Sequence, residues 1–181
     1  LSIGGLLNSG YSVEDILKSL SEIGCVPGRM QSCGKSSRGA YVFVDYAHTP
    51  EGLNAALATL KPLSRGNISV VFGCGGDRDR LKRPEMGRIA CTRADSIFLT
   101  SDNSRSEETK DIVGEILLGV SDKTRATIIS DRFLAIKAAI TSASNGDIVL
   151  IAGKGHEIFQ EINGRKFEHN DFLTVKKILS E

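Results

Sequence analysis

The chain has almost no excess charge of either sign. Its 23 Lys and Arg against 22 Asp and Glu leave a formal charge of +1. That balance argues against a nucleic-acid or polyanion surface, because phosphate backbones are met by an excess of basic residues. It leaves room for a small anionic ligand held by a few placed side chains. Long apolar runs are also missing, and none approaches the roughly 20 residues that cross a bilayer. Residues Leu1 to Gly10 have neither a basic lead nor a cleavage site, so they do not read as a signal peptide. No C-x-x-C pair occurs among Cys25, Cys33, Cys74 and Cys91, which argues against a zinc site or a thioredoxin-like motif. Four free thiols fit a reducing cytosol. There is no internal repeat and no low-complexity tract. An initiator Met is absent and Leu1 opens in mid-pattern, so the expectation is an excised fragment.

Two nucleotide motifs are begun and not completed. Gly34-Lys35-Ser36 resembles the end of a P-loop, but Arg29 stands where the pattern needs Gly, and the tripeptide precedes a strand instead of following one. Gly73-x-Gly75 resembles the start of a dinucleotide fingerprint, but Arg78 occupies the third glycine position. No NAD site is therefore expected.

What is present is one domain's worth of residues, 181, with 40% hydrophobic, enough for a real core. Ser12 to Ile23 reads as a helix: Ser12 and Asp15 resemble a capping box, and Ile16, Leu17, Leu20 and Ile23 share a face. Val26-Pro27-Gly28-Arg29-Met30 breaks it, and the small, polar stretch Gln31 to Gly39 reads as a boundary or linker. A regular alternation follows. Apolar runs at Tyr41–Asp45, Ile68–Phe72, Ser96–Thr100, Ala126–Ile129 and Ile148–Ala152 read as strands. Between them lie helices: one capped by Thr49 with Pro50 at its first position, one opening near Pro84, one from about Glu108 to Leu118, and one capped by Asp131. The end departs from the pattern, with a hairpin over Phe159 to Phe167 around Asn163-Gly164 and a closing helix from Asp171 to Leu179. The expected fold is α/β and Rossmann-like: a mostly parallel sheet with helices on both faces and a small C-terminal hairpin.

The polar, glycine-rich clusters all follow strands. They are Asp45-Tyr46-Ala47-His48-Thr49-Pro50, Gly73-Cys74-Gly75-Gly76-Asp77-Arg78-Asp79-Arg80, Ser101-Asp102-Asn103-Ser104-Arg105 and Gly153-Lys154-Gly155-His156-Glu157. In an open parallel sheet such loops share one edge, where ligands bind. Arg78, Arg80, Lys82 and Arg83 offer cationic donors to carboxylate or phosphate. Arg105 lies in an Asp-Asn-Ser turn stiffened by local side-chain bonds, where a guanidinium can grip a carboxylate with two parallel bonds. Asp45 and His48 stand at a strand end where a nucleotide or a metal-bound phosphate would lie. Glu157 can accept from an ammonium group. Each cluster alone reads equally well as a solvated turn; their common edge is what argues for a site.

Taken in order, Val26-Pro27-Gly28-Arg29-Met30, Asp45 to Pro50, Val71 to Asp79, Lys82-Arg83-Pro84 and Ala152 to Glu157 resemble motifs of the Mur ligases. Nearly the whole chain is covered. Within the family the likeness is nearest to members that add meso-diaminopimelate to UDP-N-acetylmuramoyl-L-alanyl-D-glutamate.

The resemblance implies that residues 1–34 match the end of a central, ATP-binding domain with its linker, and that residues 35–181 match the family's C-terminal domain. It implies an ATP-dependent cytoplasmic ligase with ATP and Mg2+ held mainly by the central domain. ATP phosphorylates the D-glutamyl carboxylate, the incoming amine attacks the acyl phosphate, and phosphate leaves. No catalytic residue and no metal ligand is expected in this chain, which should have no ligase activity by itself. The implied partners are meso-diaminopimelate, ATP and the UDP-N-acetylmuramoyl-dipeptide, with no nucleic acid and no membrane. The implied diaminopimelate pocket is Arg78, Asp102, Asn103, Ser104, Arg105, Gly153 and Glu157, with Asp45, His48 and Asp77 toward the nucleotide. Ser104 departs from the family's Asp-Asn-Pro-Arg turn. The alternatives are a non-catalytic amino-acid or nucleotide binding module, which the opening helix disfavours, and a lysine-adding or folate-polyglutamate ligase, which Asp102-Asn103-x-Arg105 disfavours.

Overall fold

A computed structural model describes residues 3–22 and 24–181. Six strands form one sheet: β1 (Gln31–Lys35), β2 (Tyr41–Asp45), β3 (Ile68–Phe72), β4 (Ser96–Leu99), β5 (Ala126–Ile128) and β6 (Ile148–Ala152). Their order is β1-β2-β6-β3-β4-β5, and all neighbours run parallel except β1, which pairs antiparallel with β2. β3 and β6 lie at the centre and are buried at every position. That is why they read as unbroken apolar runs, since a strand covered on both faces has no solvent side to be polar on.

Successive side chains of a strand point to opposite faces, and the core divides accordingly. Val70, Phe72, Leu99, Leu150 and Ala152 pack with α3 (Pro50–Leu60), α4 (Lys82–Arg93) and α5 (Thr109–Leu117). Val42, Val44, Val71, Phe98, Val149 and Ile151 pack with α6 (Arg132–Ser142) and α7 (Asp171–Leu179). The chain crosses from β2 through β3 and β4 to β5, then returns to place β6 between β2 and β3. A right-handed crossover running the other way lands on the other face. The loops after β2, β3, β4 and β6 therefore meet at one edge.

Caps hold the helix starts where the sequence reading puts them. Thr49 Oγ1 accepts from the Gly52 amide at 3.1 Å, and Asp131 Oδ1 accepts from the Leu134 amide at 2.9 Å. Asn170 caps α7 through the Leu173 amide. The hairpin forms from β7 (Phe159–Ile162) and β8 (Arg165–Glu168) around Asn163-Gly164, both at positive φ.

One expectation is corrected and two are refined. The Gln31 to Gly39 stretch is not all linker: Gln31–Lys35 is an edge strand that buries Cys33 against α7, and its small residues accommodate a register shift between Ser32 and Gly34. Gly34 and Lys35 thus lie in a strand. The helix near Pro84 opens at Lys82, with Pro84 inside its first turn. The opening helix does form, as α2 (Val13–Glu22), with Ser12 Oγ accepting from the Asp15 amide at 3.0 Å. Its apolar face is unlike a core face, though: Ile16 is buried while Leu17 and Leu20 are exposed. α1 (Ile3–Asn8), which the sequence reading does not propose, buries no residue. Ile23 lies outside the described residues.

Candidate functional site

The four loops at the strand ends enclose a cleft of about 580 Å³, whose walls include His48, Arg78, Asp102, Asn103, Arg105, Gly153 and Glu157. Seven of the ten residues proposed for binding therefore meet in one place. Cys74 also reaches the cleft, but burial pushes its thiol up to about 12, so it stays protonated and inert.

The loop after β4 is the most constrained. Asp102 Oδ1 accepts from the Asn103 amide at 2.6 Å. Asn103 Nδ2 donates to Glu157 Oε2 at 2.9 Å, and its Oδ1 accepts from Lys154 Nζ at 3.0 Å and from the Glu161 amide at 2.9 Å. Lys154 is fully buried and donates also to Glu157 Oε2 at 2.7 Å. This ammonium floor beneath Asn103 and Glu157 fixes both side chains. The sequence marks Lys154 only as a residue between two glycines. Gly153 sits at φ +112°, where a side chain is strained, and a Cβ there would also press on Asp102 Oδ2 at 2.8 Å.

Arg105 takes a left-handed backbone, φ +51°, uncommon for a residue with a side chain. Backbone pairing with the hairpin holds it there: its amide donates to Glu161 O at 3.1 Å, and the Asn163 amide donates to Arg105 O at 2.7 Å. The guanidinium Nη1 donates to Gly76 O at 2.7 Å, and Nε stands 3.6 Å from Glu161 Oε2. Among the described residues, no bond occupies Nη2.

Three proposed residues do different work. Ser104 is buried, with its carbonyl pressed against Gly76 so closely that a Cβ on Gly76 would collide with it. Asp77 clamps the next loop: its carboxylate accepts from the Ser106 hydroxyl at 2.6 Å and the Ser106 amide at 3.2 Å, bonds that hold it below the usual carboxylate range. Asp45 accepts from the Met30 amide at 2.7 Å and the Ala47 amide at 2.8 Å, so both its oxygens are engaged by backbone. His48 remains on the cleft wall, its Nδ1 2.8 Å from Tyr46 O.

Behind the β3 and β4 loops lies a brace whose acidic partners, Glu107 and Glu115, carry no sequence signal. Arg83, fully buried, pairs through Nη1 and Nη2 with both oxygens of Glu107 at 2.8 Å, reaches Glu115 at 2.8 Å, and donates to Gly75 O at 3.2 Å. Glu107 also accepts from the Asp77 amide at 2.7 Å. The basic run Arg78 to Arg83 is thus split: Arg83 faces inward as a strut, Arg80 pairs with Glu115 on the surface, and Lys82 caps His48 O at 2.8 Å. Arg78 and Lys82 both line the cleft, and among the described residues neither has a carboxylate partner.

Residues 28–155 match the family of the Mur ligase, glutamate ligase domain. The chain belongs to the Mur ligase family. It is similar to a UDP-N-acetylmuramoyl-L-alanyl-D-glutamate–2,6-diaminopimelate ligase of Prochlorococcus marinus, 46% identical over 178 residues covering 98% of this chain and 35% of that protein. The ligase of the same name from Trichormus variabilis is 43% identical, covering 99% of this chain and 36% of that one. A solved structure of a UDP-N-acetylmuramoyl-L-alanyl-D-glutamate–2,6-diaminopimelate ligase superposes with a TM-score of 0.80 at 40% identity, over 96% of this chain and 35% of that chain. The chain spans about a third of the length of these Mur ligase relatives. No helix among the described residues is long and apolar enough to cross a membrane.

Proposed function

We propose that this chain is the amino-acid-binding part of an ATP-dependent cytoplasmic ligase that joins meso-diaminopimelate to UDP-N-acetylmuramoyl-L-alanyl-D-glutamate. One observation carries the reading. The Arg105 guanidinium, held by a backbone carbonyl and facing the cleft, shares it with the carboxylates of Asp102 and Glu157. Such an arrangement complements a zwitterion. Arg105 takes the distal carboxylate, and Glu157 and Asp102 take the distal ammonium. Arg78 takes the carboxylate at the reacting end. Lysine lacks the distal carboxylate and leaves Arg105 facing an ammonium group, which disfavours it.

The work of these residues is positioning. With both carboxylates and one amine engaged, the second amine is directed out of the cleft toward an acyl phosphate. There its nitrogen, as the free amine, bonds to the acyl carbon, and phosphate departs as the nitrogen loses a further proton to solvent. Among the described residues, no group of three His, Cys, Asp or Glu side chains is placed to hold a metal ion. ATP and Mg2+ are assigned mainly to the part of the family outside this chain. His48, Asp45 and Asp77 stand on the nucleotide side, the last two by shaping loops. The division into residues 1–34 from the central domain and 35–181 as the C-terminal domain is part of the same proposal. Strand β1 (Gln31–Lys35), paired with β2, runs across this proposed boundary.

The test is calorimetric titration with meso-diaminopimelate and L-lysine. Binding of the first only, abolished by Arg105→Ala, supports the pocket. Equal affinity for lysine overturns it.

A further inference from the structure

Arg132 and Asp171 form a fully buried ion pair that no part of the pocket proposal uses. Arg132 is the first residue of α6 and Asp171 the first of α7. They are 1% and 0% exposed at their side chains. The carboxylate is gripped on two atoms: Arg132 Nε donates to Oδ1 and Nη2 to Oδ2, both at 2.8 Å. Burial works to raise the Asp171 carboxyl, but the Arg132 charge and its hydrogen bonds outweigh it, and the group lies far below the ordinary range. His169 Nε2, 2.8 Å from Oδ1, adds a third contact to the carboxylate.

The remaining Arg132 donors leave the pair and enter the site. Nη1 donates to Ser101 O at 3.2 Å and Nη2 to Ala152 O at 2.9 Å. Ser101 immediately precedes Asp102 and Asn103, and Ala152 immediately precedes Gly153 and Lys154. These are the last carbonyls before the two walls of the amino-acid cleft. Ala152 ends β6 and Ser101 lies two residues beyond β4, and these two strands are not neighbours, because β3 runs between them. No ladder hydrogen bond links β4 to β6. One planar guanidinium joins the two carbonyls at the loop bases, with its plane fixed by a two-point carboxylate grip, while the Lys154–Asn103 and Asn103–Glu157 bonds join the loops further out.

We propose that Arg132 is a positioning residue for the amino-acid cleft, with Asp171 as its anchor: the pair sets the separation between the Asp102–Arg105 turn and the Gly153–Glu157 loop. The inference rests on the pocket assignment above. A Lys at this position keeps the charge opposite Asp171 but has a single donor atom, which cannot hold two carbonyls and two carboxylate oxygens in one plane. An ion pair with only a stabilising role predicts a different outcome. Its loss reduces the folded fraction, so the apparent kcat falls while the KM for the amino acid stays where it is. A shifted wall raises that KM.

The experiment compares wild type, Arg132→Lys, Asp171→Asn and Arg105→Ala. Calorimetry measures the meso-diaminopimelate affinity of this chain, and the KM values for meso-diaminopimelate and ATP are measured in the corresponding full-length ligase. The expected result is an affinity loss of about tenfold for Arg132→Lys, with KM for the amino acid raised in parallel and KM for ATP unchanged. Asp171→Asn, which retains shape but loses the anchoring charge, should move the same constants by a smaller factor. An Arg132→Lys protein that binds meso-diaminopimelate within about twofold of wild type overturns the proposal. So does a variant pair that lowers kcat with KM unmoved. If wild type and Arg105→Ala bind alike, the pocket assignment has failed instead.

Discussion

Arg105 already holds a carboxylate: Glu161 Oε2 lies 3.6 Å from its Nε, on the side of the guanidinium not taken by Gly76 O. A ligand carboxylate that binds side-on to Nε and Nη2 must displace it. Both partners are partly exposed, 22% and 29% at their side chains, so the competing pair is weak, about 0–1 kcal/mol. Glu161→Gln removes the competing charge and its repulsion on an incoming carboxylate. The expected outcome in calorimetry is meso-diaminopimelate binding tightened by about threefold. Weakened binding would instead make Glu161 a direct partner of the ligand ammonium.

Ser104 stands where, by the resemblance drawn from the sequence, the family's turn carries Pro. Its amide makes no hydrogen bond among the described residues, so a proline ring removes no donor that the turn uses. Ser104→Pro should stabilise the chain by about 0.4–1 kcal/mol, chiefly by restricting the unfolded chain. It should also tighten diaminopimelate binding by holding Arg105 in its left-handed conformation. Thermal unfolding and titration of the same variant check both. A loss in each would show that the serine is needed.

The Glu107 carboxyl is lowered from 4.5 to about 2, first by its hydrogen bonds from Arg83 and then by the Asp77 amide. A depressed carboxylate contributes stability above its unfolded pKa and loses it as pH falls through the folded one. Asp171, lowered from 3.8 by Arg132, acts in the same direction. Urea midpoints should therefore hold steady down to about pH 4.5 and fall steeply toward pH 2. Glu107→Gln leaves buried Arg83 with Glu115 as its one carboxylate partner. It should cost about 2 kcal/mol at neutral pH, with a shallower acid limb. An acid limb as steep as wild type would mean that other carboxylates carry it.

Much of the fold was legible because strand and helix periods are local properties. The runs Ile68–Phe72 and Ile148–Ala152 announce central strands, while Thr49-Pro50 and Asp131 mark helix starts and Asn163-Gly164 a hairpin turn, by chemistry that acts over a few residues. The cleft was legible for a related reason: a parallel sheet collects the loops after its strands at one edge, so clusters at Asp102, Gly75 and Gly153 had to meet. Edge strand β1 was not, because its small, polar residues carry no period and form a strand only by pairing with β2.

The sequence by itself determined which residues are available to the cleft and where in the chain they stand. Only the tertiary structure decided which of them face it. Arg78 and Arg83 are five residues apart in one basic run, yet one faces the cleft and the other is buried against Glu107 and Glu115. Asp45 reads as a ligand and is engaged by two backbone amides. Arg132 and Asp171 are 39 residues apart with no pattern joining them. Which carboxylate a guanidinium meets depends on how distant elements pack, and the desolvation of a buried charge makes that pairing obligatory once the packing is set.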